Sequence, residues 1–346
     1  MPMKKCFCFL IIMTLVAFMT NTKAQQFQPL NGDFESWTGS GSNEVPSNWH
    51  TFNQANCTMA LGCSSAKGNH HYKRSGHRTG GSGSYFVELY TKSILGIKAN
   101  GNMTTGQIQI GSMTPSSTDN NNKTVRGSYD QPFTATPDSV YFWYSFYAQS
   151  ASSKASVRVY IHGDLNFVDH VQVDMNASEK YNRKATCSLS KTSSSSGSYT
   201  WVQEKLAFVQ GSADPRYLLI SLASNEVAAS GNENDAIAID DIVFIYSAWA
   251  TGISFQETPI PGFSKGNFGD YVTTVDYVSD LDNLTPNDFA VTTEVSDAYP
   301  TISYVEESGY TYNGRPARRA KIHIVAEDGG YKDYYVVVYA LNYDPT

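Results

Sequence analysis

Residues 236–246 read AIAIDDIVFIY, a run of branched and aromatic side chains interrupted by two adjacent carboxylates. Alternation predicts a strand with Ile237, Ile239, Asp241, Val243 and Ile245 on one face and Ala238, Asp240, Ile242, Phe244 and Tyr246 on the other. Both faces are apolar, as in a strand buried between two layers. An unpaired carboxylate there costs several kcal/mol, so Asp240 and Asp241 require positive charge or a route to water. No Lys or Arg lies between Tyr217 and Lys265, which removes a nearby ion pair and makes a bound hard cation one solution. In the other solution one aspartate caps a turn at an edge while its neighbour meets solvent.

Upstream of this stretch, further segments alternate. Residues 83–90, GSYFVELY, follow a glycine-rich turn, and two short apolar stretches lie in 94–110. Residues 139–149, SVYFWYSFYAQ, place Val140, Phe142, Tyr144, Phe146 and Ala148 on one face and Tyr141, Trp143, Ser145 and Tyr147 on the other. Residues 155–162 repeat the arrangement, with Val157, Val159 and Ile161 inward and Arg158, Tyr160 and His162 outward. Strands are also expected at 168–175, 201–210 and 216–223, whereas the Ser-rich stretch 186–198 reads as a loop. About ten strands joined by polar loops indicate a two-sheet sandwich.

The chain has 346 residues and a formal charge of −7. Lys4 and Lys5 precede an apolar run, and Thr22-Lys23-Ala24 ends it, so residues 1–24 read as an export signal. The run is too short to span a bilayer comfortably, and Cys6 and Cys8 sit at its start, where lipidation does not occur. Removing the signal takes away three lysines and no acid, moving the charge from −7 to −10 and arguing against nucleic acid or an anionic membrane as partner. The mature protein is expected in the periplasm, at the cell surface or outside the cell. Three cysteines remain: Cys57, Cys63 and Cys187. Cys57 and Cys63 close a short loop suited to a local disulfide in an exported protein; despite His70 and His71 nearby, the spacing matches no zinc motif.

Asn31-Gly32-Asp33-Phe34-Glu35, then Trp37, Pro46 and Trp49, resemble the opening of carbohydrate-binding modules with the galactose-binding-like jelly roll. Ile239-Asp240-Asp241-Ile242 matches the strand that ends those modules. Over residues 27–247 the layout resembles the carbohydrate metabolism domain of exported Bacteroidetes proteins. The resemblance implies a jelly-roll sandwich over 25–247, with Glu35 brought beside Asp240 and Asp241 at a structural Ca2+ site. Asp33 and the turn 81–85 would complete the shell, since calcium takes six to eight oxygens.

From Gly252 the pattern shifts to about seven short strands in about 95 residues, the length and spacing of an immunoglobulin-like sandwich over 250–346. Asp328-Gly329 separates 320–327 from 331–339 as a hairpin turn. Pro261-Gly262-Phe263, Tyr271-Val272 and Ala326-Glu327-Asp328-Gly329 before a Tyr-rich last strand resemble cadherin-like modules of bacterial surface proteins, which are usually spacers.

No Gly-x-Ser-x-Gly, His-Glu-x-x-His, phosphate loop or dinucleotide fingerprint is present. A glycoside hydrolase needs only two carboxylates, and Glu88, Asp164, Asp169 and Asp174 are the free acids, none with a signature. The expected function is therefore non-catalytic binding of an oligosaccharide or polysaccharide. Tyr141, Trp143, Tyr147, Arg158, Tyr160 and His162 would form one patch if their strands are neighbours, since aromatic faces stack on sugar C–H surfaces and polar tips meet hydroxyls. His70, His71 and Tyr72 are a second candidate. A glycoside hydrolase, or a surface adhesin or scaffold with protein partners, are the alternatives.

Overall fold

The computed structural model describes residues 27–94, 96–169, 183–192, 198–295, 298–305 and 309–344. The expected export signal at 1–24 and Asp174 lie outside them. The chain is all-β: a jelly-roll sandwich is followed by a smaller immunoglobulin-like one.

Two antiparallel sheets form the first sandwich. In spatial order one runs Val202–Ala207, Ser139–Tyr147, Ala236–Ile245, Tyr85–Tyr90 and His71–Ser75. The other runs Val209–Gln210, Arg183–Lys191, Ala155–His162, Tyr217–Ala223, Asn102–Thr104 and His50–Thr51, with Gln131–Pro132 also paired to Tyr217–Ala223. Alternate positions close over one apolar core, to which Val140, Phe142 and Phe146 contribute from one sheet and Val157, Val159 and Ile161 from the other, all at 0% exposure.

The organising strand departs from strict alternation. Ile237 and Ile239 face the core as expected, but beyond the aspartates it is Ile242 and Phe244 that do so, while Val243 and Ile245 are half-buried on the other side. The cause is a β-bulge. Pairing with Ser139–Tyr147 steps from Trp143 opposite Asp240 to Tyr141 opposite Val243, and Asp241 takes φ +49°. One extra residue reverses the inward register, so each half of the strand presents an apolar face to the same core. That is why both faces read as apolar.

The Ser-rich stretch is the other correction. Arg183–Lys191 is a strand paired to Ala155–His162, with Ala185, Cys187 and Leu189 buried. Three inward apolar positions hold the strand, and the intervening serines and threonines disguise it. Burial pushes the free Cys187 thiol up to about 12, which keeps it protonated.

A third layer covers the outer face of the larger sheet. It consists of Val168–Asp169, Asn121–Lys123, Gln107–Ile110 and Asn56–Cys57. Cys57 and Cys63 are disulfide-bonded and fix a four-residue helix, Cys63–Ala66, beside this layer. Gly101 is a tight joint: a Cβ there would lie 2.5 Å from Tyr90 N, 2.8 Å from Tyr90 O and 3.0 Å from His70 O. These are backbone atoms that cannot step aside. Gly101→Ala is expected to cost about 1–3 kcal/mol, measured as a lower urea midpoint at unchanged slope.

The second sandwich sets Thr258–Pro259, Ala250–Phe255 and Phe289–Thr293 against Asp270–Tyr277, Tyr331–Asn342, Arg315–Val325 and Tyr299–Tyr304. Asp270–Tyr277 runs parallel to the last strand, and the turn at Asp328-Gly329 joins the final hairpin with Gly329 at φ +87°. Tyr334, Val336, Val338 and Ile322 fill its core. The described strands before and after Ser247 share no sheet; Tyr246 packs against both cores, and Thr136 N–H donates to Glu327 Oε2 at 2.6 Å.

Candidate functional site

The outer face of the five-stranded sheet carries an aromatic and charged cluster. In the hairpin of His71–Ser75 and Tyr85–Tyr90, Val87 and Leu89 turn into the core, which sends Phe86, Glu88 and Tyr90 outward beside Tyr72 and Arg74. The small side chains of Ala236 and Ala238 continue that face, followed by Ser145 and Tyr147. Across it lies the segment 199–201, held by Thr200 N–H donating to Ser145 Oγ at 2.9 Å.

Tyr72 and Tyr90 stack with ring centres 4.5 Å apart, and the Arg74 guanidinium lies 4.2 Å over the Tyr72 ring. Arg74 Nε donates to Glu88 Oε2 at 2.5 Å, and the Tyr199 hydroxyl donates to the same oxygen at 2.5 Å. Tyr199 and Trp201 lie near parallel at 6.0 Å, each with Phe86 edge-on at 4.9 and 5.1 Å. Tyr72 is 41% exposed and Tyr199 47%. Burial, and then the hydrogen bond to Glu88, push the Tyr199 phenol up, so it stays a donor. Burial and then the Tyr72 hydroxyl do the same to Tyr90. The result is exposed aromatic rings on both sides of a carboxylate with lone pairs to spare: a carboxylate has about four acceptor sites, and these two donors use two.

The six residues of the expected patch are divided between the two sheets. Tyr141, Trp143 and Tyr147 lie half-buried on this same outer face, though the Arg78 guanidinium sits 4.7 Å over the Trp143 ring. Arg158, Tyr160 and His162 belong to the other sheet and point away from the core as expected, but the third layer covers them. Arg158 Nε donates to both oxygens of Asp169 at 3.0 Å, the Tyr160 hydroxyl donates to Asp169 Oδ1 at 2.9 Å, and His162 Nε2 meets Thr124 Oγ1 at 2.8 Å. Their polar tips are satisfied inside the protein, and burial holds His162 down at about 4. Six residues in one patch is therefore corrected to three in each of two sheets.

Sequence reasoning singled out Tyr72 and Glu88 separately and missed Arg74, Tyr90, Tyr199 and Trp201. The period-2 pattern of 71–75 against 85–90 was the available signal. His70 and His71 are buried; His70 lies against Phe52 and Tyr90, and His71 Nε2 meets Glu44 O at 2.8 Å. Of the acids considered for hydrolysis, Asp164 is exposed and paired to Arg126, Asp169 is buried against Arg158, and Glu88 stands on the opposite sheet.

At the aspartates, positive charge comes from a distant residue. Arg78 Nε bonds Asp241 Oδ2 at 2.5 Å, and Arg78 N–H donates to Asp240 Oδ2 at 2.9 Å. Burial, reinforced by Asp241, raises Asp240 to about 6 despite that backbone donor. Glu35 takes Ser84 N–H on both oxygens at 2.9 Å and Tyr85 N–H at 3.0 Å, which ties the opening motif to the turn before Tyr85–Tyr90. Asp33 is exposed, its Oδ1 3.5 Å from Glu35 N. Among the described residues no three His, Cys, Asp or Glu side chains gather at metal-binding distance. In this arrangement protein donors occupy the carboxylates expected to ligate calcium.

No protein-family model and no curated protein matches the chain. Among solved structures, a Bacteroides thetaiotaomicron protein described as a "putative glycoside hydrolase" is similar at 15% identity and TM-score 0.43, over 62% of this chain and 70% of that one. The carbohydrate-binding module TmCBM61, in complex with β-1,4-galactotriose, is similar at 11% identity and TM-score 0.27, over 62% and 92%. The K3 adhesin domain of Lys-gingipain from Porphyromonas gingivalis follows at 16% and 0.29, over 63% and 99%. None reaches a TM-score of 0.5, and the fold stands on its own sheets. Among the described residues no helix is long and apolar enough to cross a membrane.

Proposed function

We propose that the chain is a non-catalytic carbohydrate-binding protein whose glycan lies on the outer face of the five-stranded sheet. One observation carries this: Tyr72 and Tyr199 present exposed rings on either side of Glu88, which Arg74 and the Tyr199 hydroxyl hold in place. Sugar rings stack their C–H faces on such rings, and a fixed carboxylate accepts from their hydroxyls. A glycan array identifies the ligand, and calorimetry with that ligand tests the site. Tyr199→Ala and Tyr72→Ala are each expected to weaken binding by roughly 5- to 150-fold, about 1–3 kcal/mol, with a smaller effect on melting temperature than a core truncation because both residues are more than a third exposed. Unchanged affinity in both variants would place the glycan elsewhere.

A structural calcium ion at Glu35, Asp240, Asp241 and Asp33 is a separate proposal. It requires Arg78 to withdraw from Asp241. Were the ion bound, a chelator would lower the melting temperature by linkage; identical melts with and without chelator would end the idea.

A further inference from the structure

On the opposite side of the first sandwich, outside the larger sheet, a cavity of about 170 Å³ lies between the third layer, the disulfide-fixed helix and the loop after Ala223. A space of that size holds on the order of ten waters, or a ligand of similar heavy-atom count. Its walls are mainly apolar, with Met59, Met113, Ile94, Ile97, Ile108 and Ile110 prominent. An apolar concavity of this kind is poorly served by water.

The polar part of the lining combines amides with the hydroxyls of Ser112, Ser116, Ser117 and Thr118. Asn100, Asn121 and Asn225 all line the cavity, and the side-chain oxygen of each is buried with no hydrogen-bond partner among the described groups. Asn225 is 0% exposed, and its Nδ2 is already committed to Thr91 Oγ1 at 2.8 Å and Asp235 Oδ2 at 3.2 Å, which fixes the amide with its oxygen unsatisfied. A buried acceptor without a donor is unfavourable by about 1–3 kcal/mol. Arg158 also lines the space, but Asp169 balances its charge, and Lys98 at the rim is hydrogen-bonded to Asn232 Oδ1 at 3.2 Å.

We propose that this cavity is a second ligand site, taking a neutral small molecule that has an apolar face and hydroxyl or amide N–H donors. The apolar face lies against the two methionines and the isoleucines, and the donors meet asparagine oxygens. Methionine side chains adapt to irregular shapes, and the Cys57–Cys63 disulfide closes the loop that carries Met59. This site is independent of the glycan face.

The test uses full-length mature protein with ¹³C-methyl methionine. N-acetylglucosamine and phenyl β-glucoside are the neutral, donor-bearing probes; benzoate is an anionic aromatic ring without donors, which fails both requirements. The expected result is that both neutral probes move the Met59 and Met113 methyl resonances and leave Met103, fully buried in the main core, unmoved. Ile97→Trp and Ala66→Leu, filling the cavity from two different walls, are each expected to weaken the response at least tenfold in a folded protein. Silence at Met59 and Met113 with both neutral probes overturns the proposal. So does an equal response to benzoate, or an undiminished response in whichever filled variant folds.

Discussion

Arg78→Ala is expected to destabilise the first sandwich by about 3 kcal/mol, because it leaves two low-exposure carboxylates on adjacent residues without a cation. Asp240 is 2% exposed, and its carboxyl is already raised to about 6 with Arg78 in place. Removing the guanidinium takes away a charge that lowers Asp240, so that carboxyl rises further. An acid whose folded-state value lies above its unfolded one destabilises the fold at neutral pH and recovers stability as pH falls and it protonates. The gap between wild type and Arg78→Ala is therefore expected to narrow from pH 7 to pH 5. Adding Asp241→Ala to Arg78→Ala is expected to restore part of the loss, giving a clear coupling energy in a double-mutant cycle. Equal urea midpoints for Arg78→Ala and wild type at pH 7 would show that solvent, not Arg78, satisfies the pair.

Acid is expected to act more strongly still on the wild-type protein. Burial lowers His50, His70 and His162 from 6.5 to about 4, with Lys67 adding to the effect at His50 and Lys92 at His70. A histidine depressed in the folded state gives stability that is complete above pH 6.5 and is lost as pH falls toward 4, because only the unfolded chain takes up the proton. Each is worth roughly 3 kcal/mol over that window. Asp240 works in the opposite direction, by a similar amount for one group. The net loss is on the order of 6 kcal/mol, a large share of the 5–15 kcal/mol typical of a domain. Melts at half-unit steps should show a steep fall between pH 6.5 and 4, and the triple replacement of these histidines by Gln should flatten it. A flat profile in the wild type would show that these rings protonate in the folded state.

The predicted chemistry of the organising strand was sound in its demand and incomplete in its source. Two acids between apolar faces do require a positive partner, but Arg78 precedes Asp241 by 163 positions, and a search along the neighbouring sequence does not reach it. The bulge at Asp241 was equally hidden: alternation assumes one residue per step, and only pairing with Ser139–Tyr147 reveals the extra one. The inward and outward faces of 139–147 and 155–162 were legible because the core enforces period 2. What alternation does not report is whether an outward face meets water or another layer. Arg158, Tyr160 and His162 carry side chains typical of a surface, yet Asp169 and Thr124 satisfy them beneath the third layer. The exposed face was found only in part because Tyr199 and Trp201 come from a connection rather than a strand.

The ends of the first sandwich are fastened together. Gln28 Nε2 donates to Phe244 O at 2.9 Å, Phe244 N–H donates back to Gln28 Oε1 at 2.7 Å, and the Tyr246 hydroxyl donates to Phe27 O at 2.7 Å. Partners 216 residues apart form only after the whole intervening chain is available, and contacts of such separation slow folding. A chain delivered from its N-terminus must hold Phe27 and Gln28 unfastened until Ala236–Ile245 arrives, and that strand is central to its sheet, so the sheet closes late. The interval before closure is when Ser139–Tyr147, with its aromatic rows and no pairing partner on one side, is exposed to association with other chains.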